Sequence, residues 1–329
     1  MGKIHSVLAG VAALSLAGGP AMSEPAIIYD IGGKFDKSFN ESAYNGAETW
    51  KEQANGDYRE IELQSEAQRE QAIRRLAEAG NNPIAMPGFS FGTPLNTVAP
   101  EFPDTKFVII DMVVDQPNVR SVLFKEHEGS YVVGVLAAMA SDSGTVGFVG
   151  GMDIPLIRKF SCGYVQGVME TNPDARVIQN MTGTTGAAWN DPVKGAELAR
   201  AQVAEGADVI YHAAGGTGVG VLQAAADAGV LGIGVDANQN YLQPGSVLTS
   251  MVKRVGSAVL SAFSDGPELE TGIVEMGFAD GGISYALDEH NAPLVTDEMK
   301  AAADSAVEKI MAGEIMVHNY LTSDSCPYG

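Results

Sequence analysis

Three aspartates end short apolar runs in this chain: Asp30 closes AIIY, Asp111 closes FVII and Asp236 closes GIGV. One aspartate at a strand end reads as a turn or helix cap. Three at equivalent ends also line a common edge, where carboxylates accept hydrogen bonds from N–H groups or sugar hydroxyls. Two aromatic residues hold similar positions. Phe39 opens the helical pattern after the first run, and Trp189 in AAWNDP precedes a helix start marked by Asp191 as N-cap and Pro192 as first residue. Rings from opposite halves of the chain could sandwich a flat ligand, each stack being worth ~1–3 kcal/mol. The alternative is that both are core residues.

Two glycine motifs invite chemistry. Ala213–Gly220, AAGGTGVG, follows an apolar run and opens a helix as dinucleotide loops do, with Asp236 at the distance of a ribose-binding acid, but Val221 stands where the third glycine belongs. What remains is the mechanics: Gly215 and Gly216 let the backbone approach a ligand, and Asp236 accepts from vicinal hydroxyls. Gly88–Gly92, GFSFG, fits the G-x-S-x-G nucleophile elbow. Thr93 and Pro94 read as N-cap and first residue of the next helix, which leaves Ser90 in a loop between two phenylalanines too bulky for a strained turn. Phe89 and Phe91 are expected to line the hinge side of a cleft or to pack beneath it. The five histidines are scattered and no C-x-x-C occurs, so neither metal nor cofactor is expected.

Elements must position these residues. Ala26–Tyr29 suits a buried parallel strand, Gly32 and Gly33 a sharp loop, and Ser38 with Glu41 the spacing of a capping box. Phe39, Ala43, Ala47, Trp50 and Ala54 then recur along one helical face. Phe39 and Asn40 fall in that helix's first turn, where unpaired N–H groups and the positive end of the dipole face the crevice beyond the strand ends. The runs IEL, IAMPG and FVIID continue the alternation, and a second cycle passes through TVGFVGG, RVIQN, DVIYHAA and LGIGVD. Such alternation implies an α/β fold of two doubly wound parallel-sheet lobes in tandem. Val119–Lys125 and a helix over Glu126–Ala140 make the crossing between them. The tail beyond Met251 is too short for a third domain and must return to complete both. The expected division is 24–125 with 252–280 for the first lobe and 126–251 with 281–329 for the second, the final helix near Glu298–Met311 being open to either lobe.

Residues 1–23 have the form of a signal peptide: Lys3, an apolar stretch from Val7 to Ala17, and small residues at Ala21 and Ser23. No later run approaches the ~20 apolar residues of a membrane span, so a soluble periplasmic protein is expected. With 41 acidic and 20 basic residues, the surface is unsuited to nucleic acid or anionic membranes. An oxidising compartment allows a disulfide between Cys162 and Cys326, the alternative being two inert, half-buried thiols.

The segments YDIGGKFDKSFNESAYNGAETW, KFVIIDMVVD, GSYVVGVLAAMAS, VGFVGG, AGGTGVGV, GVDANQ and TSMVKRV resemble, in order over most of the chain, the basic membrane protein family of ABC-transporter substrate-binding proteins, which includes purine nucleoside receptors. The resemblance implies a type I periplasmic-binding fold with a multi-strand hinge. It implies a non-enzymatic, monomeric receptor that captures a purine nucleoside, or a purine base, for an inner-membrane permease. By the same resemblance Phe39 and Trp189 are the stacking pair, Asn40 and Asp111 bind the base, and Asp30 lines the pocket. Gly215 or Gly216, Asp236 and Lys253 take the ribose side, although a solvated surface position is the alternative for Lys253. Two departures stand out: no lipobox cysteine is present, which suits a freely diffusing form, and Trp189 replaces a residue often Phe in relatives, which narrows the site toward a free base. Rival readings are a flavin or sugar receptor on the same fold, and a nucleoside hydrolase. The hydrolase would need calcium in an aspartate cluster, for which DIGGKFD supplies only Asp30 and Asp36.

Overall fold

The computed structural model describes residues 23–328; residues 1–22 of the expected leader lie outside them. Along the chain run β1 (Ala26–Tyr29), α1 (Phe39–Ala54), β2 (Arg59–Glu62), α2 (Arg69–Glu78), β3 (Ile84–Pro87), α3 (Gly92–Val98), β4 (Phe107–Ile110) and β5 (Val119–Phe124). After α4 (Glu126–Ala140) the pattern repeats as β6 (Thr145–Met152), α5 (Pro155–Thr171), β7 (Arg176–Gly183), α6 (Pro192–Ala204), β8 (Val209–Ala213), α7 (Thr217–Asp227), β9 (Leu231–Asp236) and β10 (Val247–Lys253). The tail adds α8 (Val255–Asp265), β11 (Gly272–Met276), β12 (Ile283–Tyr285) and α9 (Asp297–Met311).

Two six-stranded sheets result, ordered β2-β1-β3-β4-β5-β11 and β7-β6-β8-β9-β10-β12. The first five strands of each share one topology, and the sixth differs in direction. The first is parallel throughout; the second is parallel except for β12, which runs antiparallel to β10. Parallel strands covered on both faces are near-continuously apolar, which is why the inner strands AIIY, IAMP and FVII read as hydrophobic runs, whereas the edge strand β2, REIE, is polar and mostly exposed. Alternate residues of the first sheet serve opposite layers. Ile28, Ile84 and Met86 pack with Ile73 and Leu76 of α2 and Leu95 and Val98 of α3. Ile27, Tyr29 and Ala85 pack with Ala43, Ala47 and Trp50 of α1 and Val255, Val259 and Phe263 of α8. The returning tail therefore completes the first lobe's core. A Cβ on Gly46 would lie 2.1 Å from the Gly256 carbonyl oxygen, so α1 and α8 touch backbone to backbone. The far end of the tail serves the second lobe: Met299, Ala303 and Ile310 of α9 join the cluster of Tyr131, Leu136, Phe148 and Tyr211.

Three expectations shift. Val119–Phe124 is a strand in the first sheet, so the crossing contracts to Lys125. Val252 and Lys253 finish β10 in the second sheet, because Lys253 pairs with Ile283 and Val252 with Asp236. The GFSFG segment forms a 3₁₀ turn over Phe89–Phe91 that runs into α3 at Gly92, before the expected cap at Thr93. Cys162 and Cys326 are joined in a disulfide, with Cα atoms 5.6 Å apart, which fastens the C-terminal segment to α5.

Candidate functional site

In an open parallel sheet, ligands bind beyond the carboxyl ends of the strands. Here the loops leaving both sheets close around one cavity. The first lobe contributes Asp30 after β1, Phe39 and Asn40 from the first turn of α1, Phe89 after β3 and Asp111 after β4. The second contributes Trp189 from the turn after β7, Gly215 after β8, Asp236 ending β9 and Lys253 ending β10. Gly216 does not line the cavity. Its Cα faces the Trp189 carbonyl, 3.3 Å from where a Cβ would stand, so the glycine pair seats the turn that carries Trp189. The indole itself lies over Gly151, where a Cβ would be 2.2 Å from the ring, and meets Phe89 of the other lobe edge-on at 6.3 Å between centroids. Phe91 is the residue that packs beneath, fully buried under the Arg69 guanidinium.

The start of α1 differs from the expected capping box. Ser38 makes no side-chain cap. Asp36 supplies it: one carboxylate oxygen accepts from the backbone N–H groups of Ser38 and Glu41, the other from that of Asn40. The Ser38 hydroxyl is thereby free to cross the cleft, donating to Asp236 Oδ2 at 2.6 Å. Beside it Gln239 of the second lobe donates to the Lys37 carbonyl at 2.9 Å. The lobes are thus tied together by buried side chains of both.

Burial dominates the electrostatics. It pushes the carboxyls of Asp36, Asp111 and Asp236 up to about 6, against the Lys253 charge near the latter two and the helix N–H groups around Asp36. Lys253, 1% exposed, is no surface residue. Its ammonium stands 2.7 Å from both Asp111 oxygens and 2.9 Å from Glu126 Oε1. Burial alone would discharge it, but Asp111, Glu126 and Asp236 outweigh that and hold it well above the usual lysine range. Glu126 is bonded in turn to buried Lys159, which also donates to the Phe124 carbonyl at the crossing. Burial works against the Glu126 charge, yet the two lysines keep its pKa down to about 2. Asp30 pairs with Arg69 at 2.8 Å.

Of the residues singled out in the sequence, Asp30, Phe39, Asn40, Asp111, Trp189, Gly215, Asp236 and Lys253 meet at this cavity. Phe160, Arg69, Glu126 and Lys159 were not singled out as site residues, and Asp36 had been weighed only as a calcium ligand. Asp36 carried a signal in the D-x-S order preceding the helix. Lys159 carried a fainter one, the second of two adjacent cations, Arg158 and Lys159, ahead of the largely apolar stretch of α5. Among the described residues no group of three or more His, Cys, Asp or Glu side chains is placed to hold a metal ion, and no helix is long and apolar enough to cross a membrane.

Comparison with known proteins places this geometry in context. The profile of the family described as ABC transporter substrate-binding protein PnrA-like matches residues 26–320. The chain is 32% identical to the ABC transporter nucleoside-binding protein BmpA of Lactococcus lactis subsp. cremoris, over 89% of this chain and 88% of that protein. It is 33% identical to an uncharacterized lipoprotein of Pyrococcus furiosus, over 79% of this chain and 69% of the relative. Among solved structures, an ABC transporter solute-binding protein from Aeropyrum pernix K1 superposes with a TM-score of 0.84 at 28% identity, covering 92% of this chain and 95% of that one.

Proposed function

The chain belongs to the PnrA-like family of ABC transporter substrate-binding proteins, and we propose that it captures a purine nucleoside, or the free purine base, between its lobes and hands it to an inner-membrane permease. The observation that carries this reading is that Phe39 from one lobe and Trp189 from the other line the same cavity, with hydrogen-bonding carboxylates around them. A flat ring held there touches both lobes only when they are shut, so the ligand favours the closed state by contacts the open state lacks. Asn40 and Asp111 serve the base, and Asp236 and Lys253 the ribose. The cycle is binding and release, without a chemical step, and its setting is the periplasm, with the receptor acting as a monomer.

A thermal-shift panel of purine nucleosides and bases tests the ligand class. A cognate ligand at 100 times Kd adds about 2.7 kcal/mol of stability, and silence across the panel would reject the reading. Mass spectrometry of small molecules released on denaturation identifies a flavin or sugar if one is carried instead.

A further inference from the structure

The hydrogen-bonding groups of the cavity are one-sided. Four aspartates, Asp30, Asp36, Asp111 and Asp236, line it against a single ammonium, Lys253. That ammonium is already engaged by Asp111 and Glu126, and Arg69, behind the wall, is bonded to Asp30. Asn40 donates both its amide hydrogens inward, to the carbonyls of Gly33 and Asp30, which leaves its Oδ1 buried with no donor in a side chain 3% exposed. The Ser38 hydroxyl donates to Asp236 Oδ2, and the other Asp236 oxygen meets no protein donor among the described residues. The indole N–H of Trp189 is the lining side-chain donor still without a protein acceptor among the described residues.

We propose that this site selects ligands that give hydrogen bonds and carry no negative charge, so that the free nucleoside or amino-bearing base is taken and its 5′-phosphate excluded. The proposal rests on the nucleoside reading above and adds the property that separates a nucleoside from a nucleotide. A buried acceptor with no donor is costly, and ring N–H, exocyclic amino and ribose hydroxyl groups relieve that cost at Asn40 and Asp236. A phosphate brings only acceptors and about two negative charges. It meets carboxylates in a water-poor cleft whose one cation is occupied, and like charges placed together at a binding interface are strongly unfavourable.

Isothermal titration at pH 7.5 of guanosine, inosine and adenosine against their 5′-monophosphates provides the test. The monophosphates are expected to bind at least about 100-fold more weakly. In Asp236→Asn, which removes a charge and adds a donor, the ratio of monophosphate to nucleoside Kd should narrow by about tenfold, with the circular dichroism spectrum unchanged. A variant that merely loosened the fold would weaken both ligands and leave that ratio alone, and such a result counts against the proposal. Equal affinities for nucleoside and monophosphate in the parent protein overturn it while sparing the nucleoside reading; failure of every nucleoside to bind overturns both.

Discussion

The two lobes end equivalent strands in the same residue and treat it differently. Asp111 follows β4 and Asp236 ends β9, the fourth strand in each matching sheet order, and both adopt left-handed backbone, with φ 72° and 63°. Asp111 is locked to Lys253, which reaches it from the opposite lobe. Asp236 receives only a neutral hydroxyl, from Ser38, also from the opposite lobe. The same topology thus supplies one carboxylate held by a cation from the other lobe and one with an oxygen that meets no protein donor among the described residues. Internal symmetry positions the groups, and the partners lent across the cleft decide what each does.

The largest expected effect comes from stripping the committed side. Lys253→Met leaves Asp111 and Glu126 buried without their shared cation, and breaking a buried pair costs about 3–5 kcal/mol; urea unfolding should show that loss, whereas Asp236→Asn should cost far less. Equal losses would erase the distinction between the two aspartates. Next is the seat of Trp189. Gly151→Ala forces a methyl into the indole, an overpacking of about 1–3 kcal/mol, and should weaken ligand binding as well. Adding Trp189→Phe should recover most of that loss, because the smaller ring vacates the space; additive losses would mean that Gly151 matters for some other reason.

Phe39→Ala tests the aromatic that the first lobe provides. Binding should weaken by ~1–3 kcal/mol, as for loss of one stacking face, with little change in melting temperature, since Phe39 is only partly buried. The smallest effect is that of pH. Asp111 and Asp236 titrate near 6 in the folded chain and near 3.8 when unfolded, so between those values the native state holds protons that the unfolded state has lost. Stability from these groups is fully present below about pH 4 and declines as pH rises to about 6. Glu126 acts oppositely, its contribution being lost as pH falls from 4.5 toward 2. Asp236→Asn should flatten the midpoint curve between pH 4 and 6 by on the order of 1 kcal/mol, and an unchanged slope would show that Asp236 is not the group responsible.

Much of the cavity wall was legible in the chain because strand ends are legible. A run such as FVIID states both that a strand is buried and where it stops, and a polar residue at the stop lies at the sheet's carboxyl edge. Gly216 shows the limit. Beside Gly215 it carried the same local signal, but only the position of Trp189 makes one glycine a wall of the cavity and the other a seat. The capping box failed for a related reason. S-x-x-E spacing describes Ser38 correctly as a helix-start residue, yet Asp36 reached the N–H groups first and the hydroxyl went to the other lobe.

The sequence by itself determined the two α/β units, their strand ends and the aromatic and acidic residues placed there, because periodicity and turn chemistry are local properties written over a few residues. Only the tertiary structure decided which charges are paired. Lys253 and Asp111 are 142 residues apart, and Ser38 and Asp236 are 198 apart. No local pattern reports a partner brought from the other lobe, or the burial that accompanies it and leaves one carboxylate held by a cation and the other by a neutral hydroxyl.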